Sequence, residues 1–102
     1  MSIPLSARTT AVAEALFDEP MRSHVKHTLL DSVSENIPFC DNETPEGMDR
    51  IRFSVMKLAN ENSDNFAMAV ELAQTDWRDL FMAAGFGHDA NEHNNWFDGF
   101  TI

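Results

Sequence analysis

The chain of 102 residues has one cysteine, four glycines and no tyrosine. A single cysteine, Cys40, excludes an intramolecular disulfide, and no local motif supplies the base that a nucleophilic thiol needs. Neither of the common glycine-rich phosphate-binding patterns occurs. No apolar run approaches the ~20 residues of a membrane helix, and the first residues lack the pattern of a signal peptide. We therefore expect a cytoplasmic protein with no membrane contact, no cofactor and no catalytic residues.

Basic residues are scarce and unevenly distributed. The chain has seven lysines and arginines and 17 aspartates and glutamates, which gives a net charge of −10. Residues 1–57 hold nine acids and six bases, whereas residues 58–102 hold eight acids and one base, Arg78. Because such a chain repels phosphate backbones, we expect no direct binding to nucleic acid. An acidic surface of this kind either attracts a basic partner protein or only keeps the domain in solution.

Strand-like alternation is also missing, and apolar side chains instead recur at spacings of three and four residues. We predict an all-α fold in which about five short helices surround one core, with the third and fourth helices at the centre. The whole chain, residues 1–102, is expected to form one domain. The predicted helices cover residues 6–17, 19–34, 45–60, 63 or 64 to 74, and 75–85.

Capping residues mark the expected helix ends. Asp18, Thr44, and Ser63 or Asp64 can each accept a hydrogen bond from a free backbone N–H at a helix start. The segment from Thr75 to Gly87 has a signal for a helix start and one for a helix end, because Thr75 or Asp76 can begin a helix and Gly85 can end it. One face of this predicted helix is apolar, and it consists of Trp77, Leu80, Phe81 and Ala84.

Four large apolar side chains lie within seven residues of the chain end, namely Trp96, Phe97, Phe100 and Ile102. One interpretation is that this tail folds back and closes the core. The other is that Trp96, Phe97 and Phe100 bind a partner, because aromatic anchors dominate protein interfaces. The two interpretations coincide if the tail closes a homodimer, so self-association is expected under the second.

Histidine and carboxylate side chains gather in two places. His88, Asp89, Glu92 and His93 form the densest set, and imidazole with carboxylate suits zinc or iron. Their spacing matches no known metal motif, and the neighbouring asparagines favour a solvated loop. His24 and His27 lie three residues apart beside Arg22 and Lys26, which predicts a basic stripe that pairs with acids of the second half or of another copy. We therefore predict no metal site.

Three hypotheses for the function remain. The first is a small acidic, non-enzymatic interaction or regulatory module with an unknown protein partner, for which a basic protein is one candidate. The second is a helical protein that binds a metal or small ligand through His88, Glu92 and His93. The third is an acidic inhibitor that mimics nucleic acid, which the charge of −7 over residues 58–102 permits.

Overall fold

Among the residues that the computed structural model describes, which are 3–34, 37, 44–60, 62–87 and 92–99, all regular structure is helical. The all-α prediction is therefore confirmed, with one more helix than expected. Cys40 and residues 38–43 lie outside the described residues. The helices are α1 (Ala7–Leu16), α2 (Met21–Ser32), α3 (Pro45–Ala59), α4 (Ser63–Thr75), α5 (Trp77–Ala84) and α6 (Glu92–Asp98). None of these helices has the length and apolar content needed to span a bilayer.

Helix α3 is the centre of the bundle and packs against α1, α4, α5 and α6. Met48, Ile51 and Val55, which are spaced three and four residues apart on α3, are buried, and so are Phe53 and Met56. This helix is therefore covered on several sides. The buried face of α4 (Phe66, Ala69, Val70 and Ala73) and the apolar face predicted for α5 enter the same core, apart from the half-buried Trp77.

Most helix ends agree with their predicted caps, including Asp76 at α5, but the caps of α4 and α2 need correction. Helix α4 begins after Asn62, whose side chain accepts from the N–H groups of Asp64 and Asn65. At α5 the capping side chain is Asp76, and Thr75 is the last residue of α4. At α2, Glu19 rather than Asp18 accepts from a backbone N–H, that of Ser23 at 2.7 Å. Each alternative cap lies one or two residues from the predicted one, within the usual uncertainty of helix ends.

Helix α6 contradicts the expectation of a solvated loop before Trp96. The segment from Glu92 is helical, and His93 in its first turn is fully buried. Asparagine is a weak helix former, and two of the seven residues of α6 are asparagines. Tertiary contacts with α1 and α3 therefore determine this helix.

Arg52 of α3 joins three segments of the chain through backbone carbonyls. Its side chain is only 1% exposed. Nε donates to Val33 O at 2.9 Å, Nη1 to Pro4 O at 3.0 Å and Nη2 to Ile3 O at 2.7 Å. Burial lowers its pKa below the usual value for arginine, to about 10, so the guanidinium stays charged at neutral pH.

We expect Arg52→Met to lower the free energy of unfolding by about 3 kcal/mol, because it leaves carbonyl groups without their donors. Arg22→Met is the matched control, since Arg22 also donates to a carbonyl, that of Phe17 at 2.9 Å, but from a half-buried position. The control should lose less than about 1 kcal/mol in urea denaturation. Equal losses in the two variants would contradict a special role for Arg52.

Candidate functional site

The α6 junction is the polar cluster where α6 meets α1 and α3, and it consists of Arg8, Glu46, Asp49, His93 and Asn94. His93 lies between the rings of Phe53 and Phe86, at centroid distances of 5.8 and 6.5 Å. Its Nε2 is 3.1 Å from Glu46 Oε1, but neither ring nitrogen has hydrogen-bond geometry with a described residue. Burial lowers the pKa of His93, so the imidazole is neutral near pH 7.

Asn94 connects two of the charged side chains of the α6 junction, Arg8 and Glu46. Its Nδ2 donates to Glu46 Oε1 at 2.8 Å, and its Oδ1 accepts from Nη2 of Arg8. The hydrogen bond from Asn94 is the main reason that the pKa of Glu46 lies below its usual value. Helices α1, α3 and α6 are thus held by one chain of polar contacts.

Asp49 is the buried acid of the same cluster. Its Oδ1 accepts from the hydroxyl groups of Ser6 and Thr9, the second at 2.9 Å. Its Oδ2 lies 3.8 Å from Nη1 of Arg8. Because Ser6 also caps α1, the start of α1 is fixed to α3 through this carboxylate.

The aromatic tail residues that the structure describes pack onto α3. Phe97 stacks on Phe53 at a centroid distance of 5.7 Å and an interplanar angle of 8°, and the guanidinium of Arg8 lies 4.6 Å from its ring centroid. Trp96 contacts Phe53 and Phe86 at 5.7 and 5.9 Å. Both side chains are half-buried, so they help to close the core. Phe100 and Ile102 lie outside the described residues.

Of the four candidate metal ligands, the structure describes only Glu92 and His93. His88 and Asp89 lie outside the described residues, and within those residues no three histidine, cysteine or acidic side chains form a group suited to a metal ion. Glu92 and His93 are adjacent on α6 and therefore do not share a face. His93 instead contacts Glu46, an acid that the sequence analysis did not select.

The basic stripe of α2 pairs differently from the prediction. Lys26 Nζ lies 2.8 Å from Glu14 Oε2, and His27 Nε2 lies 3.3 Å from Asp31 Oδ2. Both acids belong to the first half of the chain, so these contacts contradict pairing with the acidic second half within one molecule. His24 contacts the ring of Phe66 at 5.7 Å.

An apolar groove between α3 and α4 is the first of two cavities relevant to binding. It has a volume of about 290 Å³. Met68 at its edge is 68% exposed, although it is a large apolar side chain. Its lining consists of Leu58, Asn65, Met68, Ala69 and Leu72. This groove was not predicted from the sequence, although Met68 and Leu72 are apolar residues of α4 that lie outside its buried face.

Comparison with protein-family models, with curated proteins and with solved structures finds no match to this chain. The functional argument therefore depends on the residues themselves.

We expect the α6 junction to make folding pH-dependent through His93. An unfolded imidazole has a pKa of about 6.5, whereas burial lowers the pKa of His93 in the folded protein. Just below pH 6.5 the imidazole therefore binds a proton in the unfolded state but stays neutral in the folded state. The stabilising effect of a neutral His93 is present above pH 6.5 and is lost as the pH falls toward the folded pKa.

The measurement is urea denaturation of the wild type and of His93→Phe at several pH values between 7.5 and 5. The wild type should lose stability over this range, and the variant should lose less. His27→Gln is the control for a surface histidine. If the free energy of unfolding of His93→Phe depended on pH as steeply as that of the wild type, His93 would not be the group responsible.

We expect Trp96→Ala to lower the free energy of unfolding by about 2–3 kcal/mol, because Trp96 packs on Phe53 and Phe86. Light scattering of the full chain and of a chain ending at Asn95 separates the two interpretations of the tail. Loss of folding on truncation supports a tail within the core. A dimer that becomes a stable monomer would instead place the tail at an interface.

Proposed function

We propose that this protein is a small non-enzymatic interaction module whose α3–α4 groove binds a basic amphipathic helix of a partner protein. The observation that carries the proposal is the exposed Met68 beside an apolar groove. Helices commonly bind proteins by laying an apolar face into such a groove. Methionine is suited to this role because its flexible thioether adapts to the shape of the partner.

The charges around the groove favour a basic partner. Asp64 and Glu71 precede and follow Met68 by four and three residues, so the three side chains share one face of α4. Both acids are exposed, and no lysine or arginine occurs between Leu58 and Arg78. Lysine or arginine side chains that flank the apolar face of a bound helix would meet these carboxylates.

The neighbouring surface supports a partner that supplies the positive charge. The second half of the chain has a net charge of −7, which raises the encounter rate with a cationic helix at low salt. The apolar contacts supply most of the affinity, because exposed ion pairs contribute little. The hypothesis that Trp96, Phe97 and Phe100 bind the partner stays a prediction, as does self-association.

We expect Met68→Lys to abolish binding of a synthetic helical peptide that has a leucine face flanked by lysines. The substitution places a charge in the apolar contact and repels the lysines of the peptide. A second peptide with the same leucines and with glutamates in place of the lysines should not bind the wild type. Calorimetry measures both affinities, and the methyl resonances of Met68 and Leu72 should shift on binding.

Met82→Lys is the matched control, because Met82 of α5 is also exposed, at 57%, and the substitution adds the same charge away from the groove. Binding should persist in this variant. Equal weakening in the two variants, with a steep dependence on salt, would contradict the groove and favour an acidic mimic of nucleic acid. The second hypothesis gives a different result. Binding of a metal or small ligand through the His88–His93 segment should not change in Met68→Lys.

A further inference from the structure

The second cavity, here called the arginine cavity, lies between α3 and α5 and has a volume of about 340 Å³. This volume falls within the range of small-molecule sites, which starts at about 300 Å³. Arg50 comes from α3, whereas Gly87 follows α5. Among the described residues, the lining consists of Arg50, Trp77, Arg78, Phe81, Met82 and Gly87, none of which is acidic.

Arg50 is held rigidly on the wall of the arginine cavity. Its Nη2 donates to the carbonyl of Phe86 at 2.6 Å, and its guanidinium lies 4.2 Å from the ring centroid of Phe81. Its Nε is buried and donates to no described residue. A buried donor without a partner is costly, and the cost is greater for a charged group. An anion beside this guanidinium would offset part of that cost.

Arg78 places a second guanidinium on the same cavity. Its guanidinium lies 5.3 Å from the ring centroid of Trp77, which holds it by a cation–π contact. Arg78 is the one base of residues 58–102, and eight acids occur in the same part of the sequence. Among the described residues it instead adjoins an aromatic ring and faces a cavity that already contains Arg50.

We propose that the arginine cavity binds a small organic anion that carries a planar aromatic body, such as an aromatic carboxylate. Planar guanidinium groups bind carboxylates through paired, charge-assisted hydrogen bonds. The rings of Trp77 and Phe81 and the thioether of Met82 supply apolar surface for the aromatic body. The described lining thus has two bases and no acid, in a chain of net charge −10, and this favours an anionic ligand over a cationic one.

The test uses 2-naphthoate as the probe, with 2-naphthalenemethanol as its neutral analogue and inorganic phosphate as an anion without an aromatic body. Calorimetry on the full chain should give one saturable site for naphthoate. Binding of the neutral alcohol and of phosphate should each be at least about tenfold weaker, because each lacks one of the two interactions. Equal affinity for the alcohol, or for phosphate, would overturn the proposed ligand class.

Arg78→Gln should weaken naphthoate binding at least about tenfold without altering the melting temperature, because Arg78 is exposed. Arg50→Gln should weaken it at least as much, and its melting temperature reports any loss of the bond to Phe86. Arg22→Gln is the control, since Arg22 lies on α2 and also donates to a backbone carbonyl. Unchanged binding in Arg78→Gln, or equal weakening in Arg22→Gln, would overturn the site.

Discussion

The buried charge of Arg52 is the constraint on which the arrangement of the bundle depends. A guanidinium inside a protein needs partners for its donors, and Arg52 obtains them from the carbonyls of Ile3, Pro4 and Val33. These carbonyls belong to the segment before α1 and to the end of α2, whereas Arg52 belongs to α3. The N–H groups of Arg52 all have acceptors only when these three segments pack in one relative position. A buried polar requirement of this kind therefore orients the helices more narrowly than apolar contacts would.

The same use of backbone carbonyls recurs elsewhere in the bundle. Arg22, Arg50 and Lys57 also donate to main-chain oxygens, and the Lys57 contact is to Ala84 O at the end of α5. A cation at a helix C-terminus satisfies a free carbonyl and interacts favourably with the helix dipole. Several bases therefore act on the backbone, in a chain whose acids already outnumber its bases by 17 to seven.

The helices were predicted correctly where apolar periodicity and capping residues coincide. The prediction failed where contacts between distant residues determine the structure. The apolar spacings in α3, α4 and α5 and the glycine at Gly85 placed those helices correctly. Helix α6 was missed because Asn94 and Asn95 read as loop residues, whereas Asn94 bridges Arg8 and Glu46 across distant parts of the chain. Arg52 could not be singled out either, because its partners lie 18 to 49 residues away. Local pattern carries no information about such partners.

An exposed methionine lies beside each of the two proposed binding surfaces. The large apolar side chains that stay exposed among the described residues are Met68 and Met82, one beside each cavity. A methionine can turn toward the protein when its site is empty and toward a ligand when the site is filled, because its side chain has several rotatable bonds. A branched or aromatic residue would be stiffer at the same place. Adaptable side chains at both openings therefore allow apolar recognition without a large permanent apolar patch, which would otherwise favour aggregation.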